Sequence, residues 1–538
     1  MKNKWLKKAV SLMLCILMAL SLCSSAFAAS ESVTPVIVVS GMGSFPLFCD
    51  ESGEEEQVFP PSASGIVSVV GKSLLPLLEA FLKGDLTIFA DGSFDTIYED
   101  LFEIVSMDES GKSLHAVYTR TFPGNVGNYP DDFQNSEKID DEVGMIKAIS
   151  DKIGEKNTYF FNYDWRMSPL DHADALNAYI EDVKAEQHCS KVILVPASMG
   201  GTVVNSYLYR YGSDSVKKIV YCMVASKGLN LVGELFGKNI KITADMLLER
   251  MFNFEKDNAL VQALVSLLHT GLELTPNAME KIDAFVENFL NELSDRAYTD
   301  IFRKSFASMP GMWAFCPDSY YENDKALLFG ENTSGKLIDK IDEYHYTVQN
   351  RSEELMKAAE KNGCDIYIIS AYGFVGFPAT DAAWQQSDCL IETANSSFGA
   401  VTAPYGKPFG PDYKAVGTVC ADESHNHVST DGIVDASACA FPEQTWFIKN
   451  NRHVGLPYGT GAAELLCYLV FTEDKVTVRS DESYPQFVEL NLVSGKLTGL
   501  TGNEIRNDKL DEHSNIFIRI LSLIEYIVSA IKNLFAAA

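Results

Sequence analysis

An α/β fold with a mostly parallel sheet is predicted for this chain of 538 residues, and three observations predict it. Short apolar runs alternate with amphipathic stretches of helical period between residues 139 and 228. Strands that alternate with helices pair in parallel, because each helix carries the chain back along the sheet. The stretch KVILVPASMGGTVVNS, residues 191–206, runs from a buried strand through a serine at a tight turn into a helix. An earlier strand, Val36 to Val39, ends in the loop Ser40-Gly41-Met42-Gly43-Ser44, a second glycine-bearing turn upstream of the first.

The ends of the chain are read separately. Lys2, Lys4, Lys7 and Lys8 precede an apolar run from Ala9 to Leu22, and Ala26-Phe27-Ala28 offers a small-x-small cleavage site. Residues 1–28 are therefore expected to be a secretory signal peptide, and the protein to be secreted. The whole chain has a formal net charge of −29, and loss of the leader's lysines makes it more negative. That balance argues against nucleic acid and anionic membranes as electrostatic partners. Of the 11 cysteines, Cys15 and Cys23 fall in the leader, which leaves an odd number. They are scattered, with no C-x-x-C, so neither a zinc site nor a dense disulfide framework is indicated, and no cofactor is expected.

Taken in order, residues 48–125 are polar and mixed and read as an insertion near the mouth of a site. Residues 139–154 predict a helix with Val143, Ile146, Ile149 and Ile153 inward. TYFFNYDWR, residues 158–166, predicts a buried strand, and 170–186 a helix carrying Leu176, Tyr179, Ile180 and Val183. The strand of the 191–206 stretch follows, and KKIVYCMVASKG, residues 217–228, predicts another. Residues 229–355 show helical segments and no clear strand; Met246, Leu247, Leu248, Met251, Leu260, Leu264 and Leu268 are among their apolar positions. An insertion there is expected to form a lid over the site, although its apolar stripes also suit a helical subdomain with its own core. CDIYIISAY, residues 364–372, and TWFIKN, residues 445–450, predict two further strands, and 460–471 a closing helix. This gives a domain over 29–471 and an extension over 472–538, with strand pairs expected before residue 512. The extension ends in NIFIRILSLIEYIVSAIKNLFAAA, where Arg519, Ser522, Glu525, Ser529, Lys532 and Asn533 recur every three or four residues. That polar stripe makes 515–538 a helix that docks on the domain or lies on a lipid surface, not an uninterrupted span.

The candidate site starts from Ser198. A sharp strand-to-helix turn projects its hydroxyl above the sheet, and the following helix aims unpaired N–H groups at the same place. The usual pattern is G-x-S-x-G; here Pro196 replaces the first glycine, and a serine at this point also suits a helix N-cap. The N–H groups of Met42 and Met199 are the expected oxyanion donors. His453, in the loop after the 445–450 strand, is the expected base. Two acids fit the chain order Ser…Asp…His. Asp388 lies in QSDCLIETANSSFGA after the 364–372 strand, with Cys389 where glycine is usual; Asp431 lies in STDGIVDAS. Asp388 is preferred by a small margin, and the other is expected to be structural or, near His425 and His427, a metal ligand.

YDWR (163–166) followed some thirty residues later by the S-x-G-G turn resembles the lecithin:cholesterol acyltransferase family and related secreted lipases. SMPGMWAFCPDSYY (308–321) is similar to that family's return from lid to core, SMGG resembles small bacterial lipases, and the acid loop around Asp388 resembles that of secreted bacterial lipases. The resemblance covers residues 34–470 in pieces. It implies an α/β-hydrolase fold, a Ser198–His453–Asp triad with Asp388 or Asp431, and lipid acyl or other small esters as substrates. Hydrolysis and acyl transfer share every step to the acyl-enzyme and stay open. The competing expectation is a non-catalytic lipid- or surface-binding protein on the same scaffold, since fold does not imply function.

Overall fold

The computed structural model describes residues 33–61, 93–135, 142–246, 295–330, 335–417, 425–453 and 456–500, less 52, 54, 242 and 244, together with 72, 249, 250 and 284. The expected leader at 1–28, much of the expected lid and the terminal stretch 515–538 lie outside the described residues. No described helix is long and apolar enough to cross a membrane.

Strand β1 (Val36–Val39) is followed by β2 (Leu47–Cys49), β3 (Glu56–Phe59) and β4 (Val117–Thr119), which form a small antiparallel sheet in the order β3-β2-β4. The insertion expected over 48–125 thus carries a sheet of its own. The alternating run then delivers α1 (Glu142–Ile153), β5 (Thr158–Phe161), α2 (Pro169–Gln187), β6 (Val192–Pro196), α3 (Gly200–Tyr211) and β7 (Val216–Cys222). Helices α4 (Asn230–Phe236), α5 (Asp318–Phe329), α6 (Lys336–Tyr344) and α7 (Ser352–Lys361) precede β8 (Asp365–Tyr372). Among the described residues of 229–355 there is no strand. A two-residue pair, β9 (Val401–Thr402) with β10 (Val434–Asp435), precedes β11 (Thr445–Lys449), α8 (Gly461–Phe471), β12 (Phe487–Leu490) and β13 (Leu497–Gly499).

The main sheet has eight strands in the order β13-β12-β11-β8-β7-β6-β1-β5. Every neighbouring pair is parallel except β12 with β13. This is the architecture of an α/β-hydrolase fold. Strand residues alternate between two apolar layers, as the two-residue period requires. Ile37, Val39, Val192 and Leu194 pack with Leu176, Ile180, Val203 and Met356 of α2, α3 and α7. Val36, Val38, Ile193 and Val195 pack with Ile146 and Ile149 of α1 and Leu465 and Leu469 of α8. Both faces are covered, so β1 and β6 are apolar throughout.

Three expectations need correction. The 158–166 strand stops at Phe161, because the polar side chains beyond it are used by loops: Asn162 reaches Arg120 O, and Arg166 reaches Val105 O and Val117 O. The 217–228 strand stops at Cys222, where Met223 turns to φ +45°. The boundary at 471/472 does not separate an extension from the sheet. Val488 and Leu490 alternate inward, and β12 closes the open edge of β11 with β13 beyond it.

Candidate active site

The chain leaves β1 to pair β5 on one side and then returns to place β6 on the other. The carboxyl ends of β1 and β6 are therefore the switch point of the sheet, the place where open α/β sheets bind their ligands. Ser198 follows β6 there and the Gly41–Ser44 loop follows β1.

Ser198 has φ +50°, a conformation L-residues rarely adopt. It is held by its backbone: its N–H donates to Cys222 O at 3.2 Å, and its carbonyl accepts from Gly201 N at 3.2 Å and Ala225 N at 2.9 Å. The turn is possible because α3 starts almost in contact with its neighbours. A Cβ on Gly200 would sit 2.4 Å from Val39 O, and one on Gly201 would sit 2.5 Å from Ser226 Oγ. Pro196, at the position usually glycine, remains buried in β6, paired in register with Val39. The proline is therefore accommodated in the strand, and the turn beyond it forms.

Ser198 Oγ lies 2.9 Å from His453 Nε2, and His453 Nδ1 lies 2.8 Å from Asp388 Oδ2. The acid is fixed in turn. Asp388 Oδ1 accepts the N–H groups of Leu390 (3.0 Å) and Ile391 (2.8 Å), and its carbonyl accepts the His453 N–H at 2.7 Å. Those bonds need a tight turn, and Cys389, where glycine is usual, takes φ +84°. Burial pulls the His453 imidazole down. The Asp388 charge and hydrogen bond, with the charge of Glu142, outweigh it, so its pKa lies above the ordinary 6.5. Behind Asp388, Glu392 is buried, and burial pushes its pKa up to about 7; it accepts the N–H of Asn230 at the start of α4.

Asp431, the other acid considered, stands elsewhere. Its Oδ2 lies 3.3 Å from Lys449 Nζ and 3.1 Å from the Tyr372 hydroxyl, and its Oδ1 accepts from Ser429 Oγ and Ile433 N. The D-G-x-V pattern is a turn, with Gly432 at φ +67° and the carboxylate neutralising a buried lysine. His427 bonds Gln486 at 2.9 Å and pairs with Glu443, and among the described residues no group of three or more ligating side chains could hold a metal.

Among the described residues, neither the Met42 nor the Met199 N–H donates a hydrogen bond. Met199 is buried at the N-terminus of α3, and Met42 is 40% exposed. Two groups in this neighbourhood were not foreseen. Glu142 Oε1 accepts the Gly41 N–H at 3.2 Å, and the buried Tyr163 hydroxyl donates to Ser40 O at 2.8 Å. Tyr163 belongs to YDWR, whose other members also tie loops down. Arg166 is fully buried, pairs with Asp164 at 2.7 Å and donates to Val105 O; its carbonyl accepts from Gly311 of SMPGMW. The two stretches quoted for the resemblance thus pack on each other. Glu142 left no comparable signal, since an acid closing the run Asp140-Asp141-Glu142 at a helix start is commonplace.

No family model matches the chain, and no curated protein matches it. A chain in the crystal structure of the Tle4–Tli4 complex is similar to it, with 14% identity over 63% of this chain and 75% of that chain and a TM-score of 0.24. A likeness at that level adds nothing to the geometry above.

Proposed function

We propose that this chain is a secreted serine hydrolase of carboxylic esters, working through an acyl-enzyme on Ser198. The observation that carries the proposal is the unbroken hydrogen-bonded line from Ser198 Oγ through His453 to Asp388 Oδ2, at the switch point of the sheet. In this reading His453 Nε2 takes the Ser198 proton as Oγ attacks the acyl carbon. Asp388 holds the imidazole by Nδ1–H and stabilises its charged form. The Met42 and Met199 N–H groups receive the oxyanion of the tetrahedral intermediate. The intermediate collapses with breakage of the ester C–O bond, and His453 returns the proton to the leaving alcohol. Water then attacks the acyl-enzyme by the same route; if a second alcohol attacks instead, the outcome is acyl transfer.

The resemblance of YDWR and SMPGMW to the lecithin:cholesterol acyltransferase family and secreted lipases supports lipid acyl esters as substrates. The leader at 1–28 supports secretion, and the polar-striped stretch at 515–538 supports contact with a lipid surface. The test is labelling of the purified protein with a fluorophosphonate, Ser198→Ala serving as control, alongside turnover of p-nitrophenyl esters of increasing acyl length. Labelling and turnover that vanish in the variant are expected, with preference for longer chains. A folded protein that takes no label would replace this reading with the non-catalytic one.

A further inference from the structure

The loop after β1 is held at both ends of one residue, Gly41. Ser44 Oγ donates to Gly41 O at 3.1 Å, and Gly41 N donates to Glu142 Oε1 at 3.2 Å. The Gly41 carbonyl and the Met42 N–H belong to the same planar trans peptide and point in opposite directions. Ser44 therefore sets the direction of the Met42 N–H through Gly41 O, and Glu142, by holding the preceding Ser40–Gly41 peptide, restrains the rotation about Gly41 that would turn it. The contact is close on every side: a Cβ on Gly41 would lie 2.8 Å from Glu142 Oε1 and 2.9 Å from Ser198 Cβ. Glu142 is 101 residues away in sequence, in the first turn of α1, where the helix end favours a negative charge.

We propose that Glu142 is a positioning residue of the Ser198 site: its carboxylate aims the Met42 N–H through Gly41 and places a second negative charge at the serine end of His453. The inference rests on the serine-hydrolase reading. An acid in a helix's first turn is commonplace, but this one spends its oxygen on the oxyanion loop of another strand. The charge acts on the imidazolium that forms when Ser198 loses its proton. The charged and titratable groups around that pair are Asp388 from the loop after β8, Glu142 from α1, Tyr163 after β5, Ser198 after β6, and Arg452 beside His453 in the chain. Glu142 and Asp388 both favour the protonated imidazole, from opposite ends.

The test compares Glu142→Gln and Glu142→Ala with the wild-type full chain, by fluorophosphonate labelling and by kcat and KM of a short neutral p-nitrophenyl ester across pH 5–9. Alanine removes anchor and charge, and is expected to lower kcat by about 10-fold with little change in KM, less than the 10²–10³ lost when an oxyanion donor itself is removed. Glutamine keeps an acceptor for the Gly41 N–H and is expected to recover part of that loss. Both are expected to move the acid limb of kcat/KM to lower pH, which a purely structural role would not do. A wild type that labels and turns over, with an unmoved acid limb in the glutamine variant, overturns the role of Glu142 alone. A wild type that neither labels nor turns over overturns the hydrolase reading and this inference with it.

Discussion

Gly200→Ala is the sharpest mechanical test of the site. A Cβ at residue 200 would stand 2.4 Å from Val39 O and 2.9 Å from Ser40 O. A carbon–oxygen contact settles near about 3.3 Å, so α3 and the end of β1 must part by roughly 0.9 Å. Neither carbonyl can swing aside. Val39 O already accepts Ala197 N at 3.1 Å, and Ser40 O accepts the Tyr163 hydroxyl at 2.8 Å. The displacement therefore falls between the Met199 N–H on α3 and the Met42 N–H after β1. A misplacement near 1 Å lowers rates by roughly 10²-fold, so kcat/KM should fall by about 10- to 100-fold. Overpacking of this kind also destabilises by about 1–3 kcal/mol. The assay is p-nitrophenyl ester turnover and the rate of Ser198 labelling, with thermal unfolding alongside. Gly410→Ala is the control, because a Cβ there meets nothing within 4 Å. Activity within twofold of wild type and an unchanged Tm would refute the claim that the close approach sets the site.

Asp388→Asn should lower kcat by about 10³- to 10⁴-fold with the fold intact, as loss of the imidazole's orienting acid does. Asp431→Asn should instead destabilise by roughly 3 kcal/mol, because Lys449 loses the carboxylate of a buried pair, while kcat of the folded enzyme stays near wild type; urea titration and steady-state kinetics separate the two. His453 must be neutral to act as base, and its pKa lies above 6.5, so kcat/KM should fall with acid from a midpoint above that value. The same shift means the folded state holds that proton more tightly, and the stability it contributes is full below 6.5 and lost as pH rises through the folded value. Asp324 is buried with the Cys316 thiol 3.4 Å away, and burial raises its pKa from 3.8 to about 6. Its contribution is greatest below 3.8 and is lost as pH rises through about 6, so Asp324→Asn should add about 1–3 kcal/mol at pH 7.5 and much less at pH 4, read by denaturant unfolding at both.

Much of the sheet was legible because parallel strands buried on both faces leave unbroken apolar runs, as in Val36–Val39 and Val192–Val195. Where that pattern fails, prediction failed with it: TYFFNYDWR reads as one strand, yet only its first four residues lie in the sheet. The Ser198 turn was visible because only small residues fit between strand and helix, and the two glycines record that crowding. Cys389 looked like a departure from a glycine position, and its φ of +84° shows that the left-handed turn persists there with a side chain.

By itself, the sequence determined the α/β plan with its mostly parallel sheet, the main strands that alternate with helices along the chain, and the serine and histidine at strand ends. Those features depend on local period, turn chemistry and chain order, all of which are written into contiguous residues. Only the tertiary structure shows which of Asp388 and Asp431 lies against His453, because that depends on which loop reaches Nδ1, and Lys449 pairs with the other carboxylate. It alone brought Glu142 to Gly41 and Tyr163 to Ser40, contacts across 101 and 123 residues. Contacts at that range leave no periodic trace in a sequence; the order of the strands across the sheet sets them.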